Sequence, residues 1–238
     1  KQIKLNAKNI KIISASIHQP NHLAPNKIKY DKKTRTVTFF FNKLIKKGKA
    51  VLKIKFNGKL REDMRGFYKS TYVLPNGTKK TMLTTQFEPN DACEAFPCFD
   101  EPELKAKFNI NLVIPKNLGA ISNMQMKKEI ISKEQKKVIF HETPIMSTYL
   151  VAFVIGEFEH LEKKTKHGTL VRVITTPGKK SQAKFALDIS VKTLEYYENY
   201  FKIRYPLPKL DLIAIPDFEA GAMENWGLIT FRETRFLF

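Results

Sequence analysis

No apolar run in this 238-residue chain is long; the hydrophobic residues come in short bursts cut by turn-forming residues. Thr36-Val37-Thr38-Phe39-Phe40-Phe41 is β-branched and aromatic, and Phe108-Asn109-Ile110-Asn111-Leu112 alternates strictly. Ser147 to Gly156 and Leu170 to Thr175 are short apolar stretches bounded by polar or glycine-containing segments. Pro75-Asn76-Gly77, Pro89-Asn90-Asp91 and Pro115-Lys116-Asn117 punctuate them, with residues suited to turn dihedrals. A side-chain period of two buries one face of a strand, and many short strands bury such faces by stacking sheets. The first three quarters of the chain therefore read as mainly β, a sandwich or a saddle-like assembly of sheets.

The pattern changes after Thr176-Pro177-Gly178. From about Ser181 to Phe201 there is no Gly or Pro, and Leu187, Leu194, Tyr197 and Phe201 recur at helical spacings. This predicts a helix of about five turns, ended by Pro206 and Pro208. Leu210 to Ile215 and Leu228 to Phe231 then read as strands on either side of a glycine-bounded loop. A domain boundary is expected near Thr175, giving a β domain over residues 1–175 and the beginning of a second domain over 176–238.

The net charge of +19 is concentrated: residues 1–80 hold 21 Lys and Arg against Asp31, Glu62 and Asp63. Such asymmetry can mark a surface for nucleic acid or anionic membrane. In Ala50-Val51-Leu52-Lys53-Ile54-Lys55-Phe56, however, the lysines alternate with apolar residues as on the wet face of a half-buried strand. No nucleic-acid-binding motif accompanies the charge, so solvated lysines and no specific nucleic-acid partner are expected. The longest apolar stretch, Tyr149 to Ile155, suits a buried strand and falls short of the roughly 18 residues of a membrane-spanning helix, so no transmembrane segment is expected. Cys93 and Cys98 fit neither a metal-ligand pair nor a disulfide framework and read as reduced thiols in a cytosolic setting. His18, His22, His160 and His167 read as unclustered.

Gly221-Ala222-Met223-Glu224-Asn225-Trp226-Gly227 holds the only Trp and an acid between two glycines, in a stretch where backbone can meet a ligand. Upstream, Thr85-Gln86-Phe87-Glu88-Pro89-Asn90-Asp91-Ala92 leads into Ala95-Phe96-Pro97-Cys98-Phe99-Asp100-Glu101-Pro102. Ile121-Ser122-Asn123-Met124, the segment from Thr143 to Phe153, and Tyr205-Pro206-Leu207-Pro208-Lys209 follow. In this order, over roughly residues 60 to 238, the segments resemble the aminopeptidase N-like zinc metallopeptidases. Gly66-Phe67-Tyr68-Lys69-Ser70 is most similar to the puromycin-sensitive, largely cytosolic branch.

The resemblance implies a mainly β N-terminal domain followed by the start of an α+β, thermolysin-like catalytic domain. It implies a cytoplasmic exopeptidase that removes N-terminal amino acids from peptides, with zinc as the cofactor of the whole enzyme. By the same resemblance Glu224 and Glu88 clamp the substrate ammonium, and Gln86 lines the pocket for the first side chain. The main chain of Gly221, Ala222 and Met223, beside Asn225, pairs with the substrate like an added strand. Carboxylates suit this task because charge-assisted hydrogen bonds select a free amino terminus.

His141-Glu142 begins like a His-Glu-x-x-His zinc helix, but Ile145 stands where the second His is needed and Pro144 would break the helix. In the resembling family the zinc helix lies downstream of the Gly-Ala-Met-Glu-Asn motif. The expectation is therefore an N-terminal portion that binds the substrate's amino terminus, holds no zinc and no catalytic residue, and depends on the remaining C-terminal part of the catalytic domain. The alternative is a non-catalytic binding module or an inactive truncated homologue. Cys93 departs from the family, which usually has a basic residue there.

Overall fold

In the computed structural model, which describes residues 1–19 and 21–238, the chain builds small sheets first and one mixed sheet last. The first six strands are β1 (Gln2–Asn6), β2 (Ile10–Gln19), β3 (Asn21–Leu23), β4 (Lys27–Asp31), β5 (Thr36–Phe40) and β6 (Val51–Gly58). They form two three-stranded sheets, ordered β1-β5-β4 and β3-β2-β6. The sheets share a core of Leu5, Ile10, Ile12, Ile17, Val37, Phe39 and Phe41. Fully burying a side chain such as Phe39 stabilises by about 1.5–3 kcal/mol. On β6, Leu52, Ile54 and Phe56 pack against this core while Lys53 and Lys55 are exposed. The lysine alternation is thus the solvated face of a half-buried strand.

Seven strands follow: β7 (Gly66–Val73), β8 (Lys79–Gln86), β9 (Asn111–Pro115), β10 (Gly119–Ser122), β11 (Met126–Ile131), β12 (Gln135–Phe140) and β13 (Phe153–Gly156). They pair as β10-β13-β8-β7 and β11-β12-β9. The β7–β8 connection turns at Gly77, whose φ of 83° lies in the region glycine favours. Two expected strands come out shorter. Residues 108–110 lie outside β9, and Thr148–Leu150 is a 3-10 turn before β13. Polar side chains explain the second case: the Ser147 and Thr148 hydroxyls donate to the Pro102 and Phe99 carbonyls, and Asn123 Nδ2 donates to the Leu150 carbonyl. Such bonds hold the backbone outside a regular ladder. His141 and Glu142 follow the end of β12, not a strand start, and Glu142 binds Asn109 and Lys107 at the surface.

The last sheet comprises β14 (Glu159–Lys164), β15 (Leu170–Thr175), β16 (Lys209–Ile215), β17 (Ala222–Met223) and β18 (Leu228–Arg232), in the order β14-β15-β16-β18-β17. Helix α1 (Lys184–Phe201) connects β15 to the parallel β16. It ends at Lys202, which takes a left-handed conformation with φ 57°, before Pro206 is reached. β16 is buried along its whole length. Leu210, Leu212 and Ala214 pack with Ala186, Leu187 and Val191 of the helix. Ile213 and Ile215 pack with Met82, Val154 and Met223. A central parallel strand covered on both faces reads as a nearly continuous apolar run, here interrupted only by Lys209 and Asp211.

The two halves are locked by specific bonds. The Tyr68 hydroxyl donates to the Asp217 carbonyl at 2.8 Å, and the Asp217 carboxylate accepts from the Ser70 hydroxyl and the Thr71 amide. Gly227, at φ 72°, passes so close to residue 123 that a Cβ would sit 2.2 Å from the Asn123 carbonyl oxygen. Backbone cannot yield as a flexible side chain can. Gly227→Ala is therefore expected to destabilise by about 2–4 kcal/mol through strain and overlap, measured as a loss of chemical-denaturation stability with an unchanged m-value.

Candidate functional site

Gln86 is the last residue of β8, opposite Gly66 of β7. Its Nε2 lies 3.5 Å from the Glu88 carbonyl, a contact at the outer limit of a hydrogen bond, and its Oε1 is buried without a partner among the described residues. Glu88 follows in the exposed turn, with a cis bond to Pro89. Glu224 is also exposed. Among the described residues, no ion pair or side-chain hydrogen bond engages either carboxylate. That matters in a chain with 42 Lys and Arg against 23 acids, because most other carboxylates are tied up, with Glu101, Glu103 and Glu134 the other exceptions among the described residues. Glu94, for example, is buried and meets Lys8, Arg35 and Arg61 together.

The Gly221–Gly227 segment enters through β17, which pairs with β18 on one side and forms the edge of its sheet. Ala222 faces Phe231 and Met223 faces Thr230. An edge strand leaves outward backbone donors and acceptors available for an extended ligand. Met223 points its side chain into the core with Met82, which lies on β8 four residues before Gln86. The strand ending in Gln86 and the strand leading into Glu224 thus belong to one packed interface. Asn225 is buried, with Nδ2 3.3 Å from the Met223 carbonyl and 3.4 Å from the Thr230 hydroxyl. It shapes the turn that presents Glu224. Two clefts lie elsewhere, one beside Asp217 and one beside Lys209, and neither is lined by Gln86, Glu88 or residues 221–225.

Lys209 is the residue that sequence reasoning used only as part of a motif. It is 1% exposed. Its Nζ donates to the Ser122 carbonyl at 2.7 Å, the Gly227 carbonyl at 2.6 Å and Asp211 Oδ2 at 2.6 Å. Asp211 also accepts two bonds from Arg172, each 2.7 Å. Asn123 Nδ2 donates to the Trp226 carbonyl at 2.9 Å. The carbonyls of Trp226 and Gly227 are therefore both held by side chains, with Ser122 and Asn123 as the anchors on the other unit. The clue in the sequence is a charged pair at Lys209 and Asp211 inside an otherwise apolar strand.

Cys93 sits against this chain's own substitute for a basic neighbour. Arg35 places Nη2 3.2 Å from the Cys93 sulfur while also binding Asn90, Asp91 and Glu94. Burial pushes the Cys93 thiol up to about 12, so it is a protonated, inert side chain. The Cys93 amide donates to Asp100, whose carboxyl burial pushes above the usual range.

Residues 1–150 match the peptidase M1 N-terminal domain, and residues 185–238 match the peptidase family M1 domain. The chain belongs to the peptidase M1 family. It is 47% identical over 241 residues to aminopeptidase M1 of Arabidopsis thaliana, covering 99% of this chain and 27% of that protein. It is 46% identical over 239 residues to the puromycin-sensitive aminopeptidase of Caenorhabditis elegans, covering 99% of this chain and 25% of that protein. Over 186 residues it is 51% identical to endoplasmic reticulum aminopeptidase 1 of Homo sapiens, covering 78% of this chain and 20% of that protein. The chain thus spans about a quarter of the length of these relatives, and the family is the one its motifs point to.

Burial draws the Lys209 ammonium down to about 8, outweighing the attraction of Asp211. Below about 8 both folded and unfolded chains hold this proton. Between about 8 and the ordinary lysine value near 10.4, the unfolded chain binds a proton that the folded chain has released, so this group makes stability rise with pH. Lys209→Met should cost about 3–5 kcal/mol at neutral pH, because the Ser122 and Gly227 carbonyls and Asp211 lose a buried partner. The deficit relative to wild type should widen between pH 8 and 10, read as the difference in denaturation midpoints.

Proposed function

We propose that this chain supplies the part of an M1 aminopeptidase that binds the amino terminus of a peptide. The observation that carries it is the pairing of an open edge strand, Ala222–Met223, with an exposed Glu224 carboxylate that no cation among the described residues engages. A peptide laid along β17 would find backbone partners there, and its ammonium would find Glu224. Glu88 is the second carboxylate of this reading, reached from the other side of the interface that Met82 and Met223 share. Gln86, with its buried unpaired Oε1, borders the space for the first side chain. Gly221 belongs to the same surface: a Cβ there would meet nothing within 4 Å.

Zinc supplies the hydrolytic chemistry this reading requires of the whole enzyme. The described residues bring together no three His, Cys, Asp or Glu side chains able to hold a metal ion. In this reading the chain's own residues bind and orient the peptide. The catalytic centre would come from the remaining C-terminal part of the catalytic domain. The proposed boundary near Thr175 falls where β15 ends and the chain passes toward helix α1, while β15 shares its sheet with β16 beyond it. Among the described residues no helix is long and apolar enough to cross a membrane. A cytoplasmic placement rests on the largely cytosolic branch that Gly66–Ser70 resembles.

In the full-length protein, Glu224→Ala should raise KM for a dipeptide-type substrate about tenfold or more, since a desolvated ammonium loses its partner. Affinity for a peptide should fall comparably when its amino terminus is acetylated. Unchanged KM and indifference to acetylation would leave the non-catalytic binding module as the better description.

A further inference from the structure

We propose that His18 and His22, paired across the β2–β3 hairpin, form a copper(II)-binding site on the outer face of the N-terminal sheet, far in character from the peptide-binding surface. The sequence reading treats these histidines as separate, but the hairpin register sets them directly opposite each other. His22 Nδ1 lies 3.0 Å from His18 Nε2, with the rings edge to face at 4.6 Å between centroids. Neighbouring Ile17 and Leu23 point into the core, so strand alternation turns both imidazoles outward.

The geometry selects the metal class. The 3.0 Å separation is that of a hydrogen bond between the rings; with the nitrogens kept about that far apart and metal bonds of about 2.0–2.1 Å, they would subtend roughly 90° at an ion. That is the cis angle of a square-planar or tetragonal centre, which copper(II) and nickel(II) prefer, with copper(II) bound more tightly. A tetrahedral zinc ion would need the nitrogens about 3.3–3.4 Å apart by the same bond length. Magnesium and calcium are excluded by the absence of oxygen ligands in the pair. Each ring must pivot by about 40° to turn its lone pair from the other ring to the ion, a figure that follows from the same bond length. His22 is exposed and His18 half-buried, so the movement is open to them.

Lys53, paired with Ser16 across β2 and β6, shares the outward face that His18 presents. The same lysine-rich face repels a dication, so the metal at the top of the affinity order is the one that can overcome it. Water completes the remaining positions. Because β3 is the edge of its sheet, an ion held by both rings would staple that edge to β2.

The test is titration of the purified protein with copper(II) chloride alone, followed by calorimetry and by electron paramagnetic resonance for coordinated nitrogen. His18→Ala and His22→Ala should each weaken the site about tenfold or more, since one imidazole remains of two. His160→Ala and His167→Ala should leave it unchanged. The double variant His18→Ala/His22→Ala measures background binding at the amino terminus and any other metal centre. A wild-type protein that binds no more copper than the double variant overturns the proposal, as do single variants that bind as tightly as wild type. Preference for zinc over copper would overturn the assigned geometry.

Discussion

One ammonium group, Lys209 Nζ, joins the three pieces of chain on which the binding surface depends. It holds the Ser122 carbonyl of the β unit, the Gly227 carbonyl that closes the glycine-bounded segment, and Asp211 on its own strand. An apolar side chain at this position would suit the fully buried β16 and would avoid the cost of desolvating a charge. It would also remove a donor from two buried carbonyls, of which that of Gly227 would keep only the Asp211 amide. The charge is tolerable because Asp211 is opposite it and Arg172 neutralises Asp211 in turn through two parallel bonds. What the arrangement gives in return is geometric: three directed bonds fix a distance that interdigitating methyl groups would leave softer.

The frame so fixed separates two kinds of carboxylate. Glu94 and Asp217 are structural, one surrounded by Lys8, Arg35 and Arg61, the other accepting from Ser70 and Thr71. Their bonds cross between distant segments and hold the scaffold. Glu88 and Glu224 are exposed at the ends of well-ordered strands. In a chain of net charge +19, mobile lysines could neutralise any surface acid at little cost, since exposed ion pairs contribute only about 0–1 kcal/mol. Carboxylates placed just past strand ends and left to solvent are, in the proposed reading, available to an external ammonium. Docking one would replace weak, screened contacts with bonds in a narrower space.

Much of the fold was legible because it rests on local periodicity. The Lys53/Lys55 alternation, the β-branched run at Thr36–Phe41 and the apolar spacing of Leu187 and Leu194 map onto real strands and a real helix. Residues 108–110 and 148–150 differ from the expectation for a physical reason: the Thr143 hydroxyl takes the Phe108 amide and the Asn123 side chain takes the Leu150 carbonyl, each in place of a ladder bond. No window of sequence contains that competition. The edge position of β17 and the meeting of His18 with His22 are likewise set by pairing register. Of the candidate site, the motif itself was legible. Its support by Lys209 and Asn123 was not, since those partners come from 80 or more positions away in the Ser122–Lys209 and Asn123–Trp226 contacts.

The two glycines that bound the motif show how one short string can encode both frame and surface. At Gly227 the requirement is steric: a positive φ and an Asn123 carbonyl 2.2 Å from where a Cβ would lie. No side chain fits, and the close approach is what lets Asn123 and Lys209 reach the Trp226 and Gly227 carbonyls. At Gly221 no such reason exists within the chain, because a Cβ would touch nothing within 4 Å and the backbone is not in the left-handed region. A missing side chain that packing does not demand is explained by something outside the packing. In the proposed reading, next to the open edge of β17, that something is close passage of a peptide backbone, which a Cβ just before the strand would hold away. The same seven residues therefore fasten the segment at one end and clear it at the other, with Glu224 between.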